Sequence, residues 1–183
     1  PISDARAEVE RAVFCFELAA AEAQRAAVEG DLLPMDLRPP GQGRLGLLRH
    51  VPIGPVAAIS PFNFPLNLAV HKVAPALAVG CPIVLKPASQ TPTPVLRLAE
   101  IIQQTAWPAG ALSVLPAGRQ AADRLVSDDR PQLLSFTGSA AVGWDMKARA
   151  GRKRVVLELG GNAAVLIDET IHSDDLDEIV KKL

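Results

Sequence analysis

Within the Ala-rich segment from Asp4 to Glu29, Val9, Val13, Phe16 and Ala20 fall on one stripe at helical spacing, and Gly30 stands just past the last periodic residue. The pattern predicts an amphipathic helix with Gly30 as its C-cap, its aromatic residues and Cys15 turned to the core. The following stretch, DLLPMDLRPPGQG at 31–43, loses the period to proline and glycine and reads as loop. RLGLLRHV, 44–51, alternates as an exposed strand or hairpin arm does.

From there the pattern changes. VAAIS (56–60), IVLK (83–86), LSVLP (112–116), QLLSF (132–136) and VVLEL (155–159) are short apolar runs of the kind that suits a sheet covered on both faces. Between them lie segments with helical character: LNLAVHKVAPALAVG, TPVLRLAEIIQQTA behind a proline-rich start, a stretch around Ala121 to Ser127, and one opening near Ser139. Strand and helix alternate, which predicts an α/β fold with a doubly wound, mainly parallel, Rossmann-like sheet. Ligands of such sheets lie beyond the carboxyl ends of the strands.

Composition narrows the function. With 183 residues, 49% hydrophobic and 21% charged, the chain has material for one substantial core. A formal charge of -1 and a pI near 6.4 give no basic footprint for nucleic acid or an anionic membrane. The longest weakly polar run, Val73 to Leu85, contains Pro75, Gly80 and Pro82 and falls short of the roughly 20 apolar residues that span a bilayer. The charged start PISDARAEVER lacks the pattern of a signal peptide, so a cytoplasmic setting is expected. Cys15 and Cys81 form no closely spaced pair, and His50, His71 and His172 are scattered, so neither a disulfide framework nor a metal site is expected. No G-x-S-x-G occurs.

Three strand ends carry distinctive residues: SPFNFP after the first parallel strand, KPAS after the second and FTGSAAVG at the fourth. In the last, Gly138 allows a tight turn and Ser139 opens a helix whose free amides can bind phosphate, although ordinary capping fits equally. It is not a P-loop, because Gly143 is followed by Trp144 and Asp145, and G-x-G-x-x-G is missing. Lys86 suits a ribose or a phosphate, and also suits plain solvation. In VVLELGGN, Glu158 stands where a buried strand would carry an apolar residue. It is either a solvated strand end before turn glycines with positive φ, Gly160 and Gly161, or a functional carboxylate.

The ordered set ISPFNFP, VLKPASQTP, FTGS and LELGGN resembles the aldehyde dehydrogenase superfamily from about Arg44 to Asp168. The resemblance implies NAD or NADP as cofactor, an aldehyde as substrate, and oxidation to a carboxylic acid through a cysteine thioester. It implies that Asn63 contributes its amide to the oxyanion hole, that Glu158, followed by Gly160, is the base activating the hydrolytic water, and that Lys72 takes part in a proton relay. It places Ile59, Ser60 and Pro61 beside the cofactor, Lys86 on the adenosine ribose, and Gly138 and Ser139 at the pyrophosphate, with Gly143 packing the same helix. Ser89 departs from the glutamate of many NAD-using members. A carboxylate there accepts from the 2′-hydroxyl and repels a 2′-phosphate, so serine leaves room for NADP.

The family's nucleophilic cysteine is expected downstream of Leu183, since Cys15 and Cys81 match no catalytic position. The chain then divides into an N-terminal helix of the cofactor domain (1–33), an oligomerisation strand (34–52), the NAD(P)-binding domain (53–164), and the first strand and helix of a catalytic domain (165–183). A homodimer or homotetramer is implied for the full-length protein. PFNFPLNL and KPAS are similar to branches acting on small hydroxyaldehydes such as lactaldehyde, or on semialdehydes. The alternative is a dinucleotide-binding module without catalysis. A CoA-acylating relative fits less well, because a thioester destined for CoA gains nothing from a base that activates water.

Overall fold

The computed structural model describes residues 1–168 and 170–182. Helix α1 (Ile2–Val28) forms as its periodicity predicts, but with a different face inward. Ala12 is buried, and Cys15, Phe16 and Ala19 pack against the core, whereas Val9 and Val13 are about half exposed at 49% and 52%. Of the predicted stripe only Phe16 lies on the seam, because α1 meets its neighbouring helix through small side chains that let the two backbones approach.

Gly30 is not the C-cap either. Glu29 holds that position with extended backbone, and Gly30 opens strand β1 (Gly30–Pro34), where an added Cβ would lie 2.7 Å from the Leu48 carbonyl oxygen. Four residues read as loop, 31–34, therefore belong to a strand. It pairs antiparallel with β2 (Leu45–Arg49), Leu32 opposite Leu47, around a 3-10 turn at Pro39–Gly41. Pro34 ends a two-stranded ribbon, where a missing N–H is tolerated.

The remaining strands are β3 (Val56–Ile59), β4 (Ile83–Lys86), β5 (Leu112–Val114), β6 (Leu133–Thr137) and β7 (Arg154–Glu158). They make one parallel sheet in the order β5-β4-β3-β6-β7. Helices α2 (Pro65–Ala78) and α3 (Thr93–Gln103), with α1 outside them, cover one face and bury Val56, Ala58, Ile83 and Leu85. Helices α4 (Arg119–Ser127) and α5 (Ala140–Arg149) cover the other, burying Ala57, Ile59, Leu134 and Phe136. Ala57 and Ala58 alternate between the two cores and are fully buried, as a central strand of a doubly wound sheet requires.

β7 is different. Val155 and Leu157 pack toward the α4–α5 side, while Val156 and Glu158, turned to the other face, are exposed. Of the strand and helix expected over 165–183, the helix forms as α6 (Ser173–Lys182), but 161–168 carry no strand. Val165 and Leu166 are exposed, with no partner strand among the described residues to pair them. Glu169 and Leu183 lie outside the described residues.

Candidate cofactor and catalytic site

From β3 the chain winds outward through β4 and β5, then crosses back to β6 and β7 on the other side. The carboxyl ends of β3 and β6 are thus the switch point at which open α/β sheets bind ligands. Ile59 ends β3, and Ser60 and Pro61 follow it. Ser60 donates its backbone N–H to the Lys86 carbonyl at 3.2 Å, but its hydroxyl is buried with no hydrogen-bond partner among the described residues.

A cleft of about 580 Å³ opens on the α4–α5 side, lined by Ile59, Lys86, Ser89, Phe136 and Val142 among others. Among the described residues Lys86 Nζ donates only to the carbonyl of Pro87, at 3.0 Å, leaving capacity for a ligand. Ser89 is exposed in the turn before α3.

Ser139 is the N-cap of α5, with extended backbone and no side-chain cap. The first helical bond is donated by Gly143 to the Ser139 carbonyl at 3.0 Å, so the amides of Ala140, Ala141 and Val142 keep no protein acceptor among the described residues. Amides at the positive end of a helix, a lysine ammonium and an orphaned hydroxyl are a donor set that fits the phosphates and ribose of a dinucleotide.

The glycines work through contact rather than through turn geometry. Neither Gly138 nor Gly160 nor Gly161 has positive φ. A Cβ on Gly138 would sit 2.5 Å from Cζ of Phe136, and one on Gly143 would sit 2.5 Å from Cδ2 of Leu159, so bare backbone lets α5 lie close on β6 and β7. Gly160 and Gly161 have open space around them, and the tight-turn reading does not account for either.

The sequence reading missed the polar rim. Arg149 of α5 bridges to Asp145 at 2.6 Å and to Asp123 of α4 at 3.1 Å, and Arg119 stands beside them. The Arg149 hydrogen bond holds the Asp145 carboxyl below the usual range, with a smaller pull from Arg119. The i,i+4 spacing of Asp145 and Arg149 was a readable signal, whereas nothing in the sequence of α4 marks Asp123.

The opposite face of the same strand ends carries a second group. Lys72, on α2, is buried, and its Nζ donates to Thr137 Oγ1 at 2.7 Å and to Ser135 Oγ at 3.2 Å. Glu158 pairs in register with Thr137, and its carbonyl accepts from Gly138 N at 3.0 Å. Its exposed carboxylate points to the Lys72 side, without an ion pair to it among the described residues. Burial pushes the Lys72 amine down to about 8, and the Glu158 charge partly opposes this.

Folding thus disfavours the charged form of Lys72 relative to the unfolded chain, which keeps its proton up to the ordinary 10.5. The penalty is complete below pH 8 and is relieved as pH rises toward 10.5, so stability should climb through that window by up to about 3 kcal/mol. Urea midpoints across the window should show the rise in wild type and a flatter line in Lys72→Met. Identical slopes would contradict the burial effect.

Asn63 lies exposed in the short turn between β3 and α2, its amide making no hydrogen bond among the described residues. Cys15 sits on α1, and Cys81 is buried at the amino end of β4, away from the strand ends that carry the site. Among the described residues no cluster of His, Cys, Asp or Glu is fit to hold a metal, and no helix is long and apolar enough to cross a membrane.

A doubly wound parallel sheet with a cleft beyond the carboxyl ends of its strands defines the Rossmann-like class of α/β fold. The sequence matches the profile of the aldehyde dehydrogenase family over residues 1–183, and the chain belongs to that family. It is 41% identical over 167 residues to 3-sulfolactaldehyde dehydrogenase of Priestia aryabhattai, covering 91% of this chain and 35% of that protein. Its fold matches aldehyde dehydrogenase 21 of Physcomitrella patens, solved with the reaction product succinate, with TM-score 0.85 and 54% identity over 89% of this chain and 34% of that one. It also matches glyceraldehyde-3-phosphate dehydrogenase of Methanocaldococcus jannaschii complexed with NADP, with TM-score 0.79 and 39% identity over 88% and 35%. The chain spans about a third of the length of these relatives.

Proposed function

We propose that this chain is the cofactor-binding part of an enzyme that oxidises an aldehyde to a carboxylic acid with NAD or NADP. The observation that carries the reading is the meeting of the four motifs at the switch point, donors for a dinucleotide on one face and a lysine and a carboxylate on the other. The bound cofactor supplies a hydride acceptor. Lys86 and Ser89 hold its adenosine ribose, Ile59, Ser60 and Pro61 wall it, and the amides after Gly138 and Ser139 take the pyrophosphate, with Gly143 keeping α5 close.

Asn63 donates its amide to the oxygen that gains charge when a thiol adds to the aldehyde. Glu158, on the strand end before Gly160, takes a proton from the water that cleaves the resulting thioester, and Lys72, behind Thr137, takes part in the proton relay. The thiol comes from a cysteine outside this chain, as the family resemblance implies.

The division into 1–33, 34–52, 53–164 and 165–183 is kept with one change: the oligomerisation segment begins at Gly30, where β1 starts. The ribbon of β1 and β2 exposes Leu32, Leu45 and Leu47, which supports its use in a homodimer or homotetramer. A small hydroxyaldehyde or semialdehyde is the substrate class, in keeping with the names of the relatives, and the setting is cytoplasmic.

The intact enzyme should form reduced cofactor and carboxylic acid in equal amounts and accept NADP at least as well as NAD. Ser89→Glu should move the preference toward NAD by roughly tenfold or more, equivalent to about 1.4 kcal/mol. Rejection of NADP by wild type, together with an unchanged preference in Ser89→Glu, would take Ser89 away from the ribose. A product other than the acid would overturn the reaction.

A further inference from the structure

Helix α2 begins without a cap of its own. Phe64 occupies the N-cap position and offers no side-chain acceptor, and Pro65 at the first helical position has no N–H. The next two amides, of Leu66 and Asn67, both donate to Oε1 of Glu8 on α1, at 2.8 and 3.0 Å. A carboxylate at a helix amino end gains from both the charge-assisted bonds and the dipole.

One turn further along α1, the Arg11 guanidinium lies 4.9 Å from the centroid of the Phe64 ring. On the other side of the turn Thr91 Oγ1 reaches the Phe62 carbonyl at 3.5 Å, a weaker contact. The residues on both sides of Asn63 thus each contact a neighbouring element, while among the described residues its own amide has no hydrogen-bond partner. The seam between α1 and α2 already has an apolar filling in Ala12, Cys15, Phe16 and Ala19, so docking of the helix does not require a carboxylate there.

We propose that Glu8 and Arg11 are positioning residues for Asn63: α1 clamps the turn ahead of α2 so that the Asn63 amide keeps one orientation toward the developing oxyanion. Preorganised donors stabilise such charge because they need not reorient when it forms. The proposal rests on the oxyanion reading of Asn63, and the test separates the two.

In the full-length enzyme, Glu8→Ala should slow the single-turnover formation of reduced cofactor about tenfold, the scale of a modest misplacement. The cofactor dissociation constant, read by fluorescence titration, should not move. Glu8→Gln should recover most of the rate, since an amide oxygen still accepts from Leu66 and Asn67. The deciding measurement is a double-mutant cycle. In an Asn63→Ala background Glu8→Ala should cost less than about twofold, because there is no amide left to misplace.

Equal tenfold losses in both backgrounds, or no loss in either, overturn the positioning role. If Glu8→Ala does not fold, Arg11→Met enters the same cycle, with a loss of about threefold expected only where Asn63 is present. A wild-type rate in Asn63→Ala would instead remove the oxyanion reading and this proposal with it.

Discussion

Glu158→Gln in the full-length enzyme should form the thioester normally and then hold it. The observable is a burst of about one equivalent of reduced cofactor per active site, followed by turnover slowed about 10²- to 10⁴-fold, the usual cost of losing a general base. The expectation follows from where the side chain sits. Glu158 ends β7 in register with Thr137, on the face that Lys72 reaches from below, and its carboxylate is open to solvent. Glutamine keeps the length and the hydrogen-bonding reach but cannot take a proton from water. Wild-type turnover in the variant would make Glu158 a solvated strand end and nothing more. Loss of burst and turnover together, with cofactor binding intact, would assign it to activation of the cysteine instead.

Asn63→Ala should strike the earlier step. Removing one oxyanion donor costs about 10²- to 10³-fold in kcat, so single-turnover hydride transfer should fall by that factor while the cofactor dissociation constant holds. The two effects separate because Asn63 lies on the turn after β3 and lines no part of the cleft that holds Lys86 and Ser89. Asn63→Asp should be at least as damaging, since a carboxylate would face the developing negative charge. If Asn63→Ala retains more than about a tenth of the wild-type rate, the amide is not a principal donor.

The parallel sheet was legible because each strand is a short apolar run, two of them stopped directly by proline, and each helix between them has periodic apolar positions. IVLK and QLLSF needed no tertiary information. Residues 31–34 were not legible, because DLLP becomes a strand only when Leu32 meets Leu47 across the ribbon. The inward face of α1 was misread for a related reason. Apolar periodicity favoured the larger valines, whereas close helix packing selected Ala12 and Ala19. The candidate site was legible where motif residues stand at or just after strand ends, as with Lys86, Glu158 and Ser139. Glu8 was not, because a carboxylate on an exposed helix has no sequence mark until the amides it caps, 58 and 59 residues away, are in place.

The five residues of β6 alternate between two tasks: Phe136 faces the cleft, while Ser135 and Thr137 receive the Lys72 ammonium. Because successive side chains leave a strand on opposite faces, no β6 side chain can serve both. On the roles proposed above, cofactor preference at Ser89 and proton handling at Lys72 would therefore be separately mutable traits on a shared backbone. A lineage could then change from one dinucleotide to the other at Ser89 without disturbing Lys72, and the free-energy effects of substitutions at the two positions should add.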